Sequence, residues 1–342
     1  MEKLGVALLG LDHWYAALSM APEIAASDKV RLVAVSHDDA HKAEQTAREH
    51  GAAFHTTDYR AALDRPGVDI VVALYSTDRN VEIVRAAAAA GKHIVSVKPM
   101  ALNAEGADAI VAAVKAANVH FFPLESQGRL SAERKRLKQW LDEGRIGRPL
   151  RFTQTLHTSL PQPWVGQEGP TWWTDPAHTP GGGWIDHSIY AVDTVRWLFG
   201  SELASVGGVA SRMRYPELGV EDYGHATYTL ANGAVATIED TWIADRGFGL
   251  HRNEIVGSRG VIMDDGVGGW GGGRLHLRGD FGYDGWVTAD TLRAAQSPAI
   301  DHLADCIRGD ATPVATVEDG KINLEACLAF YRAAAAGTVE KI

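Results

Sequence analysis

Five short, largely apolar runs separated by helical stretches constrain the first third of this 342-residue chain. Residues 4–9, 30–35, 69–74, 93–97 and 119–124 read as strands, and the first, Leu-Gly-Val-Ala-Leu-Leu, has no polar side chain. A strand apolar on both faces has to be covered on both. Residues 14–26, 40–50, 79–90 and 103–117 read as helices, two of them stopped by Gly51 and Gly91. Such alternation predicts a parallel, doubly wound sheet, in which ligands bind beyond the carboxyl ends of the strands. The turns after Leu9, Val35, Leu74 and Val97 are therefore the informative ones.

The remainder changes character. Residues 130–144 read as a helix with Leu137, Trp140 and Leu141 on its apolar side. Strand candidates then follow at 151–156, 204–214, 225–230, 234–242 and 252–256, punctuated by turns such as Asn232-Gly233, an antiparallel signature. The glycine-rich segment 266–285 is expected to be hairpin and loop, and helices over 298–308 and 317–336 close the chain. The expected class is α/β. A Rossmann-like domain covers 1–123, and an α+β domain covers 124–342, its C-terminal helices able to pack back on the first.

A net charge of −10 argues against nucleic-acid or anionic-membrane partners. No apolar run approaches membrane-spanning length, and the first residues lack the features of a signal peptide. Two cysteines, Cys306 and Cys327, offer no disulfide framework, so a reducing cytoplasm and a small-molecule partner are expected.

Residues 180–193, Pro-Gly-Gly-Gly-Trp-Ile-Asp-His-Ser-Ile-Tyr-Ala-Val-Asp, run from a glycine turn into an amphipathic helix. Asp186, Tyr190 and Asp193 fall at i, i+4 and i+7 on one face, beside a stripe of Ile189, Val192, Val195 and Leu198. A polar face entered through three glycines suggests a helix whose start lines a cleft. His157, His178 and His187 cluster around it in sequence. His157, Asp186 and His187 would suit a divalent metal by residue type, although no spacing is diagnostic and a satisfied polar network is the other reading.

Residues 90–103 (Ala-Gly-Lys-His-Ile-Val-Ser-Val-Lys-Pro-Met-Ala-Leu-Asn), 143–150 (Glu-Gly-Arg-Ile-Gly-Arg-Pro-Leu), 180–193 and 311–314 (Ala-Thr-Pro-Val) together resemble the glucose–fructose oxidoreductase/inositol dehydrogenase (Gfo/Idh/MocA) family over essentially the whole chain. The resemblance implies a Rossmann domain joined to a domain with a large open sheet. It also implies oxidation or reduction of a sugar-like or cyclic polyol with NAD or NADP, and a homo-oligomer, dimer or tetramer. Lys98 then stands at the active-site lysine and Asp186 at the substrate-binding aspartate. Tyr190 stands at the acid/base position, which is histidine in most members. Gln127 and Arg129 match the polar pair after the last Rossmann strand, and Trp172, His157 and His187 are further candidates for substrate contact. A nearby Lys98 would favour a Tyr190 phenolate.

The cofactor half departs from the family pattern. Its Gly-x-Gly-x-x-Gly/Ala turn reads here Gly10-Leu11-Asp12-His13-Trp14-Tyr15, so only Gly10 is kept. Asp12 adds bulk and charge where a diphosphate should lie. Like charges about 4 Å apart repel by about 1 kcal/mol in water and about 4 at an effective dielectric near 20. Protonation of His13, or a loop that turns Asp12 away, would relieve this, while Trp14 and Tyr15 either pack or fill nucleotide space. His37 takes the place of the ribose-binding acid and would tolerate a 2′-phosphate. Tyr75-Ser76 replaces Thr-Pro, Asn80 a histidine and Val97 a glutamate. Gly10, Asp12, His13, Trp14, His37, Tyr75, Ser76 and Lys98 are thus the expected cofactor contacts. Two functions follow: an NAD(P)-dependent dehydrogenase, or a non-redox enzyme on the same scaffold, such as a metal-dependent hydrolase, decarboxylase or lyase.

Overall fold

Strand β1 (Leu4–Leu9) is buried from Gly5 onward, as its apolar sequence requires, in a computed structural model that describes residues 2–264, 274–288 and 298–342. There follow α1 (Trp14–Ala26), β2 (Val30–Ser36), α2 (Ala40–His50), β3 (Phe54–Thr56) and α3 (Tyr59–Leu63). Then come β4 (Ile70–Ala73), α4 (Thr77–Ala89), β5 (His93–Ser96), α5 (Ala104–Ala117) and β6 (Phe121–Pro123). These strands pair in parallel in the order β3-β2-β1-β4-β5-β6, the doubly wound arrangement expected from the alternation. Local signals set the helix ends. Asp39 caps α2 by accepting from the His41 and Lys42 N–H groups, and Gly51 closes it with φ of 79°.

A 3-10 turn at Leu124–Leu130 and α6 (Ala132–Asp142) lead away from this sheet. Next are β7 (Pro149–His157), α7 (Ile185–Phe199), β8 (Leu203–Ser211), β9 (Tyr223–Leu230), β10 (Val235–Thr241) and β11 (Leu250–Gly257). The chain ends with β12 (Val261–Asp264), β13 (Arg274–Arg278), β14 (Gly285–Thr288), α8 (Ala299–Arg308), α9 (Val317–Ala336) and β15 (Glu340–Lys341). Among the described residues the second sheet runs β14-β13-β12-β11-β7-β10-β9-β8-β15. Only β7 and β10 pair in parallel there, so the sheet is mixed and mostly antiparallel. Part of the glycine-rich segment forms the β13–β14 hairpin, while residues 265–273 lie outside the described residues.

Helix α7 lies against β10, α9 and the 3-10 turn and is buried on nearly every side. Helix α8 packs Ala299, Ile300, Leu303 and Ala304 into the core against β2, β5 and β6, and Ser27 donates to Asp301 at 2.6 Å. No described helix is long and apolar enough to cross a membrane.

Candidate active site

Lys98, just past β5, has no solvent exposure. Its ammonium donates to the backbone carbonyl of Asp186 and, at 2.7 Å, to Asp186 Oδ1. Asp186 Oδ2 accepts from Trp242 Nε1 at 3.0 Å, beyond the end of β10. His187 Nδ1 lies 3.5 Å from Asp186 Oδ2 and 3.8 Å from Asp240 Oδ1. Burial alone would raise the Asp186 pKa, but His187, Lys98 and the Lys98 and Trp242 hydrogen bonds bring it down to about 2. Burial pushes against the Lys98 charge too, yet Asp186, Tyr190 and Asp240 together raise its pKa. The pair is ionised. Asp240 is the contrast: burial raises it to about 7 despite His187.

The glycines before α7 are spatially required. A Cβ on Gly182 would come within 2.1 Å of the Glu221 carbonyl oxygen, and one on Gly183 within 2.8 Å of that of Asp222. The backbone thus presses against residues 220–222, and Glu221 accepts from the Gly182 and Trp184 N–H groups. This close approach delivers Asp186 to Lys98 and, one turn later, Tyr190 to a cavity.

That cavity, about 810 Å³, lies between α1, the 3-10 turn, α6, α7 and the second sheet. Gln127, Asp186, His187 and Tyr190 line it, as expected for the site. Tyr190 departs from the expected phenolate. Lys98 Nζ lies 5.3 Å from its ring centroid, but burial outweighs that cation and raises the Tyr190 pKa. The phenol keeps its proton. Glu125, Arg134, Trp173, His251 and Asn253 also line the cavity and were not expected. Burial, then the Asp193 charge, lifts Glu125 to about 7. Burial, then Arg134 and His187, lowers His251 to about 4.

Three expected substrate contacts lie elsewhere. Arg129 is buried in an ion pair with Asp193, at 2.6 and 3.1 Å, and also bonds the Val314 carbonyl and Asp319, so its donors are engaged in the fold. His157 stands off the cavity lining, 3.6 Å from Glu239. Trp172 faces the nucleotide turn. The metal reading loses its ligands with His157: among the described residues, no three His, Cys, Asp or Glu side chains group to hold an ion.

The nucleotide turn keeps its backbone and closes its space. Gly10 has φ of 90°, and a Cβ there would lie 2.4 Å from the Tyr75 nitrogen. The Leu11 N–H donates to His37 Nδ1 at 3.3 Å, and the Ser76 N–H to Asp12 Oδ2 at 2.9 Å. Tyr75 shares a 3.2 Å hydrogen bond with Ser36. His13 is wholly buried, its ring centroid 4.6 Å from that of Trp172 and 5.0 Å from that of Trp173. Burial and the Lys98 charge hold its pKa well below the usual histidine range, so His13 is neutral. Trp172 Nε1 donates to the Asp12 carbonyl at 3.2 Å, and Trp14 Nε1 to that of Gln162 at 2.9 Å. The segment between β7 and α7 therefore lies across the turn. Asp12 is turned away into the Ser76 amide, and the Trp172 indole lies against the turn. A diphosphate bound at this turn would meet both groups.

Comparison with known proteins finds two family matches along the chain. Residues 4–124 match the oxidoreductase family with an NAD-binding Rossmann fold, and 135–263 match the GFO/IDH/MocA C-terminal domain. Scyllo-inositol 2-dehydrogenase (NAD(+)) of Bacillus subtilis is 27% identical over 334 residues, 95% of this chain and 91% of the relative. Inositol 2-dehydrogenase of Streptomyces avermitilis is 30% identical over 269 residues, 76% and 72% of the two chains. In three dimensions, aldose–aldose oxidoreductase from Caulobacter crescentus, complexed with glycerol, superposes with a TM-score of 0.84 at 24% identity, covering 100% of both chains. Levoglucosan dehydrogenase, in complex with NADH and L-sorbose, gives 0.82 at 23% identity, covering 100% of this chain and 99% of its own.

Two outcomes are expected. Glu125 starts from an ordinary value of 4.5 and is raised to about 7, so its ionisation opposes folding, increasingly from about pH 4.5 and fully above about 7. Glu125→Gln should raise stability at pH 8 by up to about 3 kcal/mol and leave it unchanged at pH 4, read by urea denaturation. Trp172→Ala, which clears the turn, should bind NADH at least threefold more tightly than wild type in a fluorescence titration. Equal or weaker binding contradicts the idea that Trp172 obstructs the turn.

Proposed function

The chain belongs to the Gfo/Idh/MocA oxidoreductase family, and from that membership we propose that Lys98 and Tyr190 manage the proton as a sugar-like or cyclic polyol is interconverted with its ketone. The family's Rossmann domain is of the NAD-binding type. The metal-dependent hydrolase, decarboxylase or lyase reading has no support. The activities of the relatives, on inositols and levoglucosan, favour a hydroxylated ring as substrate here.

One observation carries the assignment: a fully buried, ionised Lys98–Asp186 pair stands beside a protonated Tyr190 on the wall of a cavity large enough for a sugar. A bound nicotinamide would supply or accept the hydride. The residues of the chain bind, orient and move the proton. Both Asp186 oxygens are engaged, by Lys98 and Trp242, so Asp186 acts mainly by fixing the ammonium rather than by gripping a hydroxyl. Two of the three Lys98 donors are held by Asp186, and the ammonium lies behind the cavity wall, covered by Trp173 and beside Tyr190, so that Lys98 acts on the proton through the Tyr190 phenol. Tyr190, holding its proton, is in the form that protonates a carbonyl oxygen as it becomes a hydroxyl. In the opposite direction it has to release that proton, which burial opposes and the nearby Lys98 charge favours.

Exposed Val209, Met213 and Val339 give the β8–β15 edge of the second sheet an apolar character suited to a homo-oligomer, and the free, buried Cys306 and Cys327 suit the reducing cytoplasm. A monomer by light scattering, or recovery outside the cytoplasm on fractionation, contradicts the respective reading. Tyr190→Phe should lower kcat by about 10²–10⁴-fold, and Lys98→Met should cost at least as much. Turnover of cyclic ketones and polyols with NADH or NAD measures both, and near-normal activity in either variant removes that residue from the mechanism.

A further inference from the structure

Arg134 belongs to α6 but falls three residues before Leu137 and seven before Leu141, on the helix face that carries the apolar stripe. Its guanidinium lines the cavity, where one Nη1–H donates to Thr194 Oγ1. Thr194 passes its own proton to the Tyr190 carbonyl at 2.6 Å, so it serves Arg134 as an acceptor, one helical turn from the phenol. The side chain crosses Gly128 closely enough that a Cβ there would meet Arg134 Cδ at 3.0 Å. Among the described residues no carboxylate comes within 4 Å of the guanidinium. The acids nearby are engaged: Asp193 is held by Arg129, Ser126 and Asn323, and Asp264 accepts from Asn253. Burial lowers the Arg134 pKa, the mark of a cation short of compensation.

We infer that Arg134 is the recognition residue for a carboxylate on the substrate, so that the cavity takes a sugar acid, a polyol carrying one carboxylate, in place of a neutral sugar. This rests on the polyol reading above and narrows its substrate class. An arginine fork, of which one N–H is given to Thr194, matches the two oxygens of a carboxylate. Glu23, Glu133 and Asp264 share the lining with Arg246 and Arg274, and among those acids one carboxylate adds less negative charge than a phosphate dianion would. His251, neutral by its lowered pKa, together with Asn253 and Gln127, supplies uncharged partners for hydroxyls.

Calorimetric titration of the full-length protein with a panel of hexuronates and hexonates, each beside its neutral hexose or polyol, tests this, with glucose 6-phosphate as a third class. The best carboxylate should bind at least tenfold more tightly than its neutral counterpart. Arg134→Met should abolish that preference, and Arg134→Lys should keep an intermediate preference. Circular dichroism checks that both variants fold. Overturning outcomes are no carboxylate binding below 10 mM, no preference over the neutral partner, tighter binding of glucose 6-phosphate, or a preference that survives in Arg134→Met. Turnover is measured separately. Carboxylate binding without any redox turnover would defeat the polyol oxidoreductase reading alone, whereas turnover of neutral polyols without carboxylate preference would defeat only the role of Arg134.

Discussion

A lysine ammonium sealed inside the protein needs a partner, because an unpaired charge there costs several kcal/mol. Lys98 meets that need with a single residue, through the side chain and backbone carbonyl of Asp186. The other carboxylate oxygen is tied to Trp242. One charge therefore registers the end of β5, the first turn of α7 and the end of β10, elements from both sheets. Buried pairs of this kind add little net stability over an apolar replacement, but breaking one is costly. The interaction thus penalises other placements of the two domains more than it rewards this one. Tyr190 reaches its position only because α7 is set by it.

A second pin lies two turns further along the same helix. Asp193 receives Arg129 from the 3-10 turn after β6, with Ser126 and Asn323 completing its shell. Between the two pins the environment is dry and held by fixed charges. Burial there raises the Tyr190 pKa and lifts that of Glu125 to about 7. The site thus sets a protonated phenol beside a fixed cation.

The apolar periodicity of the first 123 residues was sufficient to read the parallel sheet, because burial on both faces leaves an unambiguous run of side chains. Asp186, Tyr190 and Asp193 were likewise visible as one helical face. Their separate fates were not, since the groups they meet come from β5, the 3-10 turn and β10, distant in sequence. Arg129 illustrates this: it stands where the family resemblance puts a polar pair, and only the packing of α7 reveals that Asp193 claims it. Trp242 and Glu125 carried no local signal. Arg134 did carry one, a charge on the apolar stripe of α6 beside Leu137 and Leu141, whose meaning depends on a cavity that no periodicity describes.

The departures at the nucleotide turn form one physical unit. His13 occupies the interior only because Trp172 and Trp173 enclose it, and Asp12 is tolerated because it bonds the Ser76 amide instead of facing outward. The two indoles are stacked with centroids 4.0 Å apart, Trp172 facing the turn while Trp173 lies over Lys98 at 4.6 Å and lines the cavity. Adjacent residues stacked in this way do not move independently. Withdrawing Trp172 to admit a diphosphate would also disturb the aromatic cover on Lys98, the charge from which the proton chemistry is organised. Cofactor entry and the state of the substrate cavity would therefore be coupled through this single dipeptide, and the loss of the usual glycines is better understood as one side of that coupling than as decay of the motif.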